Sequence, residues 1–225
     1  LGMAILNPGD VVLLPDPGYP VFEAGSYLGG AEVYYYPLLR ENNFLPVIED
    51  IPEDVLNKTK YIVLSYPSNP VGASAPKEMY VRMIEYAKKY NFAIINDNAY
   101  SDIIFDGREG FSFLSLPGAK DVGVEFFSLS KSYNVTGLRI SFCIGNKSII
   151  DAFKLLRSQY DFGMSYPAQK AAIAALRGPR DSVKAQCAEY QRRRDALLNG
   201  LRKYGWNVPD SHGTMFVWLP VPEGY

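Results

Sequence analysis

The sequence holds one histidine, two cysteines and two tryptophans in 225 residues. No apolar run nears the roughly 18 residues of a membrane-spanning helix. Each shortage removes a class of function. Cys143 and Cys187 cannot staple a disulfide scaffold and have no ligand-like neighbours, which points to a reducing compartment. His212 stands beside Gly213 in a polar turn, and no paired-cysteine spacing occurs, so no metal site is expected. An excess of either charge is missing too. The 23 Lys+Arg and 24 Asp+Glu leave a formal charge of -1, which gives no electrostatic case for nucleic acid or an anionic membrane. Gly-x-Gly-x-x-Gly and Walker turns are absent.

What is present is apolar bulk, 48% hydrophobic and 14% aromatic residues, which excludes disorder. Such a length buries a sizeable core in one large domain or one and a half smaller ones. The chain opens on Leu1 without an initiator Met, signal or transit pattern and closes on Val221-Pro222-Glu223-Gly224-Tyr225, so both ends are expected to be cut. The balanced charge and missing signal fit a cytoplasmic protein.

Short apolar runs alternate with helical patterns. Val11–Leu14, Glu32–Tyr36, Tyr61–Tyr66, Phe92–Asn96, Val124–Leu129, Leu138–Ile144 and Met215–Leu219 read as strands. A helix starting at Pro76 repeats Met79, Met83, Tyr86 and Tyr90 on one face. Ile149, Phe153, Leu156 and Tyr160 stripe a second, and the Ala-rich stretch from Ala168 to Leu176 makes a third. Val183, Cys187, Tyr190, Leu197, Leu201 and Tyr204 mark a long fourth, on which Arg192-Arg193-Arg194 reads as a solvated face beside Glu189 and Asp195. The fold class is α/β, a mostly parallel mixed sheet with flanking helices. A domain over residues 1–178 ends near Gly178-Pro179-Arg180, and residues 179–225 begin a smaller, incomplete α+β domain.

Ligands of open α/β sheets bind outside the carboxyl ends of the strands. Three strands here run directly into polar residues: Ser68-Asn69-Pro70, Asp97-Asn98-Ala99-Tyr100, and Ser128 with Ser130-Lys131-Ser132. Each has a plain reading. Ser68-Asn69-Pro70 is ordinary turn chemistry, Asp97 would cap the next helix, Lys131 would be solvated, and Arg139 would form a strand-edge salt bridge. Together they suggest more. A lysine held at an apolar strand end has its charge disfavoured and becomes nucleophilic. Beside a strand-end carboxylate and a Ser/Arg cluster suited to phosphate, it suggests pyridoxal 5'-phosphate, which needs an amine, an anion at its ring nitrogen and phosphate donors.

The stretch Ser128-Leu129-Ser130-Lys131-Ser132-Tyr133-Asn134-Val135-Thr136-Gly137-Leu138-Arg139 resembles the cofactor-attachment signature of the class I/II aminotransferases. Asn69-Pro70-Val71-Gly72, Asp97-Asn98-Ala99-Tyr100 and Asp16-Pro17-Gly18-Tyr19-Pro20 resemble further motifs of that family, in its order. Wording such as Phe105-Asp106-Gly107 is similar to LL-diaminopimelate aminotransferases and related bacterial enzymes.

The resemblance implies the large domain of the fold type I pyridoxal-phosphate transferases, and roles for eight residues. Lys131 would hold the cofactor as a Schiff base and shuttle a proton, Asp97 would pair with the ring nitrogen, and Asn69 and Tyr100 would bond the ring's phenolate oxygen. Tyr19 would stack on the ring, while Ser128, Ser130 and Arg139 would hold the phosphate. It implies amino-acid and 2-oxo-acid substrates and a homodimer. Two departures stand out. Ser141 occupies a position where the family has Gly or Ala and close backbone packing. A glycine-rich phosphate turn and a carboxylate-clamping arginine, expected upstream and downstream in the family, are not in the sequence. A same-fold lyase, or a truncated, incompetent cofactor-binding module of an enzyme or regulator, are the alternatives.

Overall fold

The computed structural model describes residues 1–221 and Gly224; Pro222, Glu223 and Tyr225, the last stretch of the expected second domain, lie outside the described residues. Six strands build one sheet: β1 (Val11–Asp16), β2 (Glu32–Pro37), β3 (Thr59–Ser65), β4 (Ala93–Asp97), β5 (Gly123–Ser128) and β6 (Ser141–Gly145). Their order is β2-β1-β3-β4-β5-β6, parallel throughout except for β6, which runs antiparallel to β5. This is the mixed, mostly parallel sheet that the alternation of strand and helix predicts.

Each central strand is buried on both faces, and its alternation divides two cores. Leu13, Ile62, Leu64 and Ile94 face one layer with Met79, Tyr80, Met83, Ile84 and Ala87 of helix α2 (Lys77–Tyr90). Val12, Leu14, Tyr61, Val63, Ile95 and Val124 face the other, against Phe22 of α1 (Val21–Leu28) and Ile149. Full burial of one such side chain contributes about 1.5–3 kcal/mol. Helix α2 ends where Asn91 takes the left-handed conformation at φ 57°. The predicted face of α2 is right in phase, although its deepest residues are Tyr80, Met83, Ile84 and Ala87, with Tyr86 and Tyr90 at the margin.

After β5 come the single turn α3 (Leu129–Ser132), then α4 (Lys147–Tyr160), α5 (Tyr166–Arg177) and α6 (Asp181–Lys203). The strand expected from Leu138 starts only at Ser141, because Arg139 turns left-handed at φ 51° after a short 3-10 turn. Residues 215–219 do not form the expected strand. Among the described residues their neighbourhood offers one isolated bridge, Ile104 to Gly213, and a strand without a partner leaves its backbone groups unpaired.

The buried stripe of α6 also differs from the apolar reading. Val183, Arg194 and Leu198 are its buried residues, whereas Leu197 and Tyr204 are exposed. The helical period passes through position 194, and arginine fills it by pairing. Arg194 donates to both oxygens of Asp106, at 2.9 and 2.6 Å, and to the Ser211 carbonyl at 2.6 Å, with its guanidinium 4.8 Å from the Phe105 ring centre. Arg192 and Arg193 are solvated on Glu189, as a charged face should be. Among the described residues no helix is long and apolar enough to cross a membrane.

Candidate active site

Strands β3, β4 and β5 are neighbours and end in step: Ser65 pairs with Asp97, and Asp97 with Phe126. The three polar strand ends read from the sequence therefore reach one edge of one sheet. Outside that edge lies a mainly apolar cleft of about 360 Å³. Asp97, Ser128 and Ser141 line it together with Phe22, Gly25 and Val63.

Asp97 follows Ile95 on the cleft side of β4, by strand alternation. Burial pushes its carboxyl up to about 6, only partly offset by the Ala99 backbone N–H. Asp97 caps no helix, and among the described residues it has no Lys or Arg partner. A carboxylate held in an apolar cleft without a countercation fits a ligand that brings a positive charge. Tyr100, buried in the turn after β4, has its phenol pushed up to about 12, first by burial and then by the charge of Asp97.

Lys131 lies on α3, directly beyond β5. Ser128 caps that turn, its hydroxyl accepting from the Ser130 N–H at 3.2 Å. The Lys131 amine stands 6.0 Å from the centre of the Tyr100 ring, and Gln186 of α6 donates to the Lys131 carbonyl at 2.7 Å. Lys131 and Asp97 thus each lie near Tyr100, and of the three only Asp97 lines the cleft, together with Ser128. Tyr19 is more exposed, its ring edge-on to Phe22 at 5.8 Å and close enough to act on the Tyr100 phenol. Ser130 is buried. Asn69 is half-buried in its turn, and among the described residues no hydrogen bond of its side chain links it to the others. Arg139 is exposed and donates to the Thr136 carbonyl at 2.9 Å, so neither a strand-edge ion pair nor a bond to Ser128 or Ser130 forms among the described residues. Ser141 is accommodated because it opens β6 at an exposed position opposite Ser128, with its side chain on the cleft.

The Asn69 turn is clamped from outside the sheet. Gly72 sits at φ +70°, and a Cβ there would meet the Ser211 hydroxyl at 2.4 Å. The Gly72 carbonyl accepts from the His212 N–H at 2.7 Å, and the His212 ring bonds Ser74 at 3.2 Å. Burial lowers that imidazole's pKa, in keeping with a structural tie. Gly72→Ala combines a strained backbone with a clash and is expected to lower stability by about 2 kcal/mol, read from the urea unfolding midpoint.

Sequence reading missed three contributors: Gln186, the clamp of Ser211 and His212, and the buried carboxylate of Glu125. Glu125 left a signal, a lone charge inside the apolar run Val124-Glu125-Phe126-Phe127. Gln186 left none, because its partner is a backbone carbonyl.

The family model for aminotransferase class I and II matches residues 1–224. The chain is 50% identical over 220 residues to an LL-diaminopimelate aminotransferase of Dehalococcoides mccartyi, covering 98% of this chain and 57% of that protein. Against the LL-diaminopimelate aminotransferase of Halothermothrix orenii it is 44% identical over 225 residues, 100% of this chain and 58% of the relative. Among solved structures, substrate-bound BacF from Bacillus subtilis superposes with a TM-score of 0.96 at 38% identity, over 100% of this chain and 57% of that one. A probable N-succinyldiaminopimelate aminotransferase from Thermus thermophilus gives 0.93 at 30% identity, over 99% of this chain and 60% of its own. The chain thus spans somewhat over half the length of the relatives it matches.

Proposed function

The chain belongs to the class I and II aminotransferases, and from that premise we propose that it carries the cofactor-binding core of a pyridoxal-phosphate-dependent transaminase, moving an amino group from an amino acid to a 2-oxo acid. The observation that carries this reading is the Asp97 carboxylate, desolvated and without a Lys or Arg partner among the described residues, on the same sheet edge as the Lys131 amine. That donor set fits pyridoxal phosphate. When bound, the cofactor supplies an electron sink for the charge left on a substrate carbon that has lost its proton.

The chain's own residues have distinct tasks. The Lys131 amine would hold the cofactor's aldehyde and would carry the substrate proton at Nζ. The Asp97 carboxylate would keep a proton on the ring nitrogen from the mainly apolar cleft. Tyr100 and Asn69 would bond the ring's phenolate oxygen, and Tyr19 would stack on the ring. Ser128, Ser130 and Arg139 bind the phosphate; Arg139 must turn inward from the Thr136 carbonyl to take part.

Residues 1–178 are assigned to this cofactor-binding domain and residues 179–225 to the start of a second. A cytoplasmic homodimer is the working form we assign. Two free thiols, Cys143 and Cys187, support the compartment. The exposed Leu155, Tyr160, Phe162 and Tyr166 on and between α4 and α5 support the burial of that surface by another subunit.

Transamination makes a prediction that a lyase does not share. With pyridoxal phosphate and an amino donor, LL-diaminopimelate first because the relatives carry its name, the full-length protein is expected to accumulate pyridoxamine phosphate and one equivalent of 2-oxo acid, followed by absorbance and chromatography, whereas the 225 residues alone are expected to be inactive. Release of ammonia with no pyridoxamine phosphate would favour the lyase.

A further inference from the structure

Glu125 is fully buried in the middle of β5 and faces away from the cleft. Its carboxylate collects five donors from two segments, residues 96–98 and 112–114. Oε1 accepts from Asn96 Nδ2 at 2.9 Å, Asn98 Nδ2 at 2.7 Å and the Phe113 N–H at 3.1 Å. Oε2 accepts from the Ser112 hydroxyl, with the Leu114 N–H at 3.5 Å. Among the described residues no lysine, arginine or histidine joins it, and every partner donates to it. The amides are themselves braced: Asn96 Oδ1 accepts from the Tyr80 hydroxyl at 3.2 Å, and Asn98 Nδ2 also donates to the Phe111 carbonyl at 3.0 Å.

Two features set this network apart from ordinary core satisfaction. Its amides are the residues on either side of Asp97, so the strand end bearing the catalytic carboxylate is pinned from behind on both sides. The second is Asn98 Oδ1, buried with no hydrogen-bond partner. A buried orphan acceptor forfeits its hydration without a replacement bond. The fold keeps it so that the amide's donors stay on Glu125 and Phe111.

We propose that Glu125 is a positioning residue, whose carboxylate grips Asn96 and Asn98 and thereby fixes the direction in which Asp97 enters the cleft. Its functional meaning rests on the role given to Asp97 above. The geometric claim stands without the cofactor. The titratable groups within range of the Asp97 charge are the Tyr80 and Tyr100 phenols, one on each side of β4.

The test uses Ser112→Ala, which removes one donor, and Glu125→Gln, which turns an amide N–H₂ toward other donors. In cofactor-free protein carrying 13C-labelled aspartate, the Asp97 carboxyl resonance is followed through pH, after assignment by its loss in Asp97→Asn. A loosened strand end hydrates the carboxylate, so its midpoint is expected to fall from about 6 by roughly one pH unit in a variant that stays folded. Ser112→Ala supplies the answer if Glu125→Gln does not fold. A folded variant with the midpoint unmoved overturns the proposal, and leaves Glu125 a structural residue.

A second reading is the affinity for pyridoxal phosphate. Ser112→Ala is expected to weaken it several-fold in the parent and not at all in an Asp97→Asn background. An equal loss in both backgrounds counts against positioning. If the parent binds no pyridoxal phosphate, the cofactor reading fails, while the carboxyl titration still decides the role of Glu125.

Discussion

Lys131→Ala is expected to abolish covalent attachment of pyridoxal phosphate and to lower amino transfer by ~10³-fold or more, because one amine both anchors the cofactor and moves the proton. The position offers what such an amine needs. Lys131 follows the Ser128-capped end of β5, its carbonyl is held by Gln186, and its amine lies against the Tyr100 ring without a carboxylate partner among the described residues. The side chain is only half-buried, so the fold should tolerate its removal. Two measurements check the assignment: the near-visible absorbance of the cofactor-loaded protein, and the mass of the peptide labelled after borohydride reduction. Absorbance that persists in Lys131→Ala, or a label on another lysine, would show the attachment site to be wrong.

Asp97→Asn is expected to act in opposite directions on rate and stability. Loss of the charge opposite the ring nitrogen should lower the rate by ~10²–10³-fold, the usual effect of removing one preorganised electrostatic contact. In cofactor-free protein the same change should stabilise. Asp97 titrates at about 6 in the fold against an ordinary 3.8, so between these values the folded chain binds more protons than the unfolded one. Stability therefore falls as pH rises from about 4 to about 6, by as much as about 3 kcal/mol, and stays reduced above that range. Asparagine carries no such penalty. Urea midpoints of parent and variant should coincide near pH 4 and separate by pH 7, with the variant higher. A parent as stable as the variant at pH 7 would mean that the protein itself already neutralises Asp97.

These expectations depend on a sheet edge that is legible in the sequence. Strand ends could be read because the central strands are unbroken apolar runs, and in a parallel sheet such runs must end on the same side. Hence Asn69, Asp97, Ser128 and Lys131 were placed on one edge from order alone. What escaped was whatever depends on partners distant in sequence. Arg194 looks like surface in the triplet Arg192-Arg193-Arg194, and only Asp106 and the Ser211 carbonyl make it a core residue. Residues 215–219 carry a strand's pattern, but pattern cannot supply a neighbouring strand. The left-handed turn at Arg139 broke an apolar run whose composition gave no warning. Position 72 shows the converse: its glycine was read as a family motif, yet the reason for it lies far along the chain, at Ser211.

The alternation of β4 constrains how descendants of this gene can vary. Asn96, Asp97 and Asn98 send amide, carboxylate and amide to opposite faces in turn. A single codon inserted or lost upstream within the strand would flip that assignment. The carboxylate would then meet Glu125, acid against acid without a cation, while an amide would enter the cleft. Fold and chemistry would fail in one step, so the strand's length is closed to gradual change. Diversification here must proceed by substitution within a fixed length, whereas the connecting loops stay free to grow or shrink.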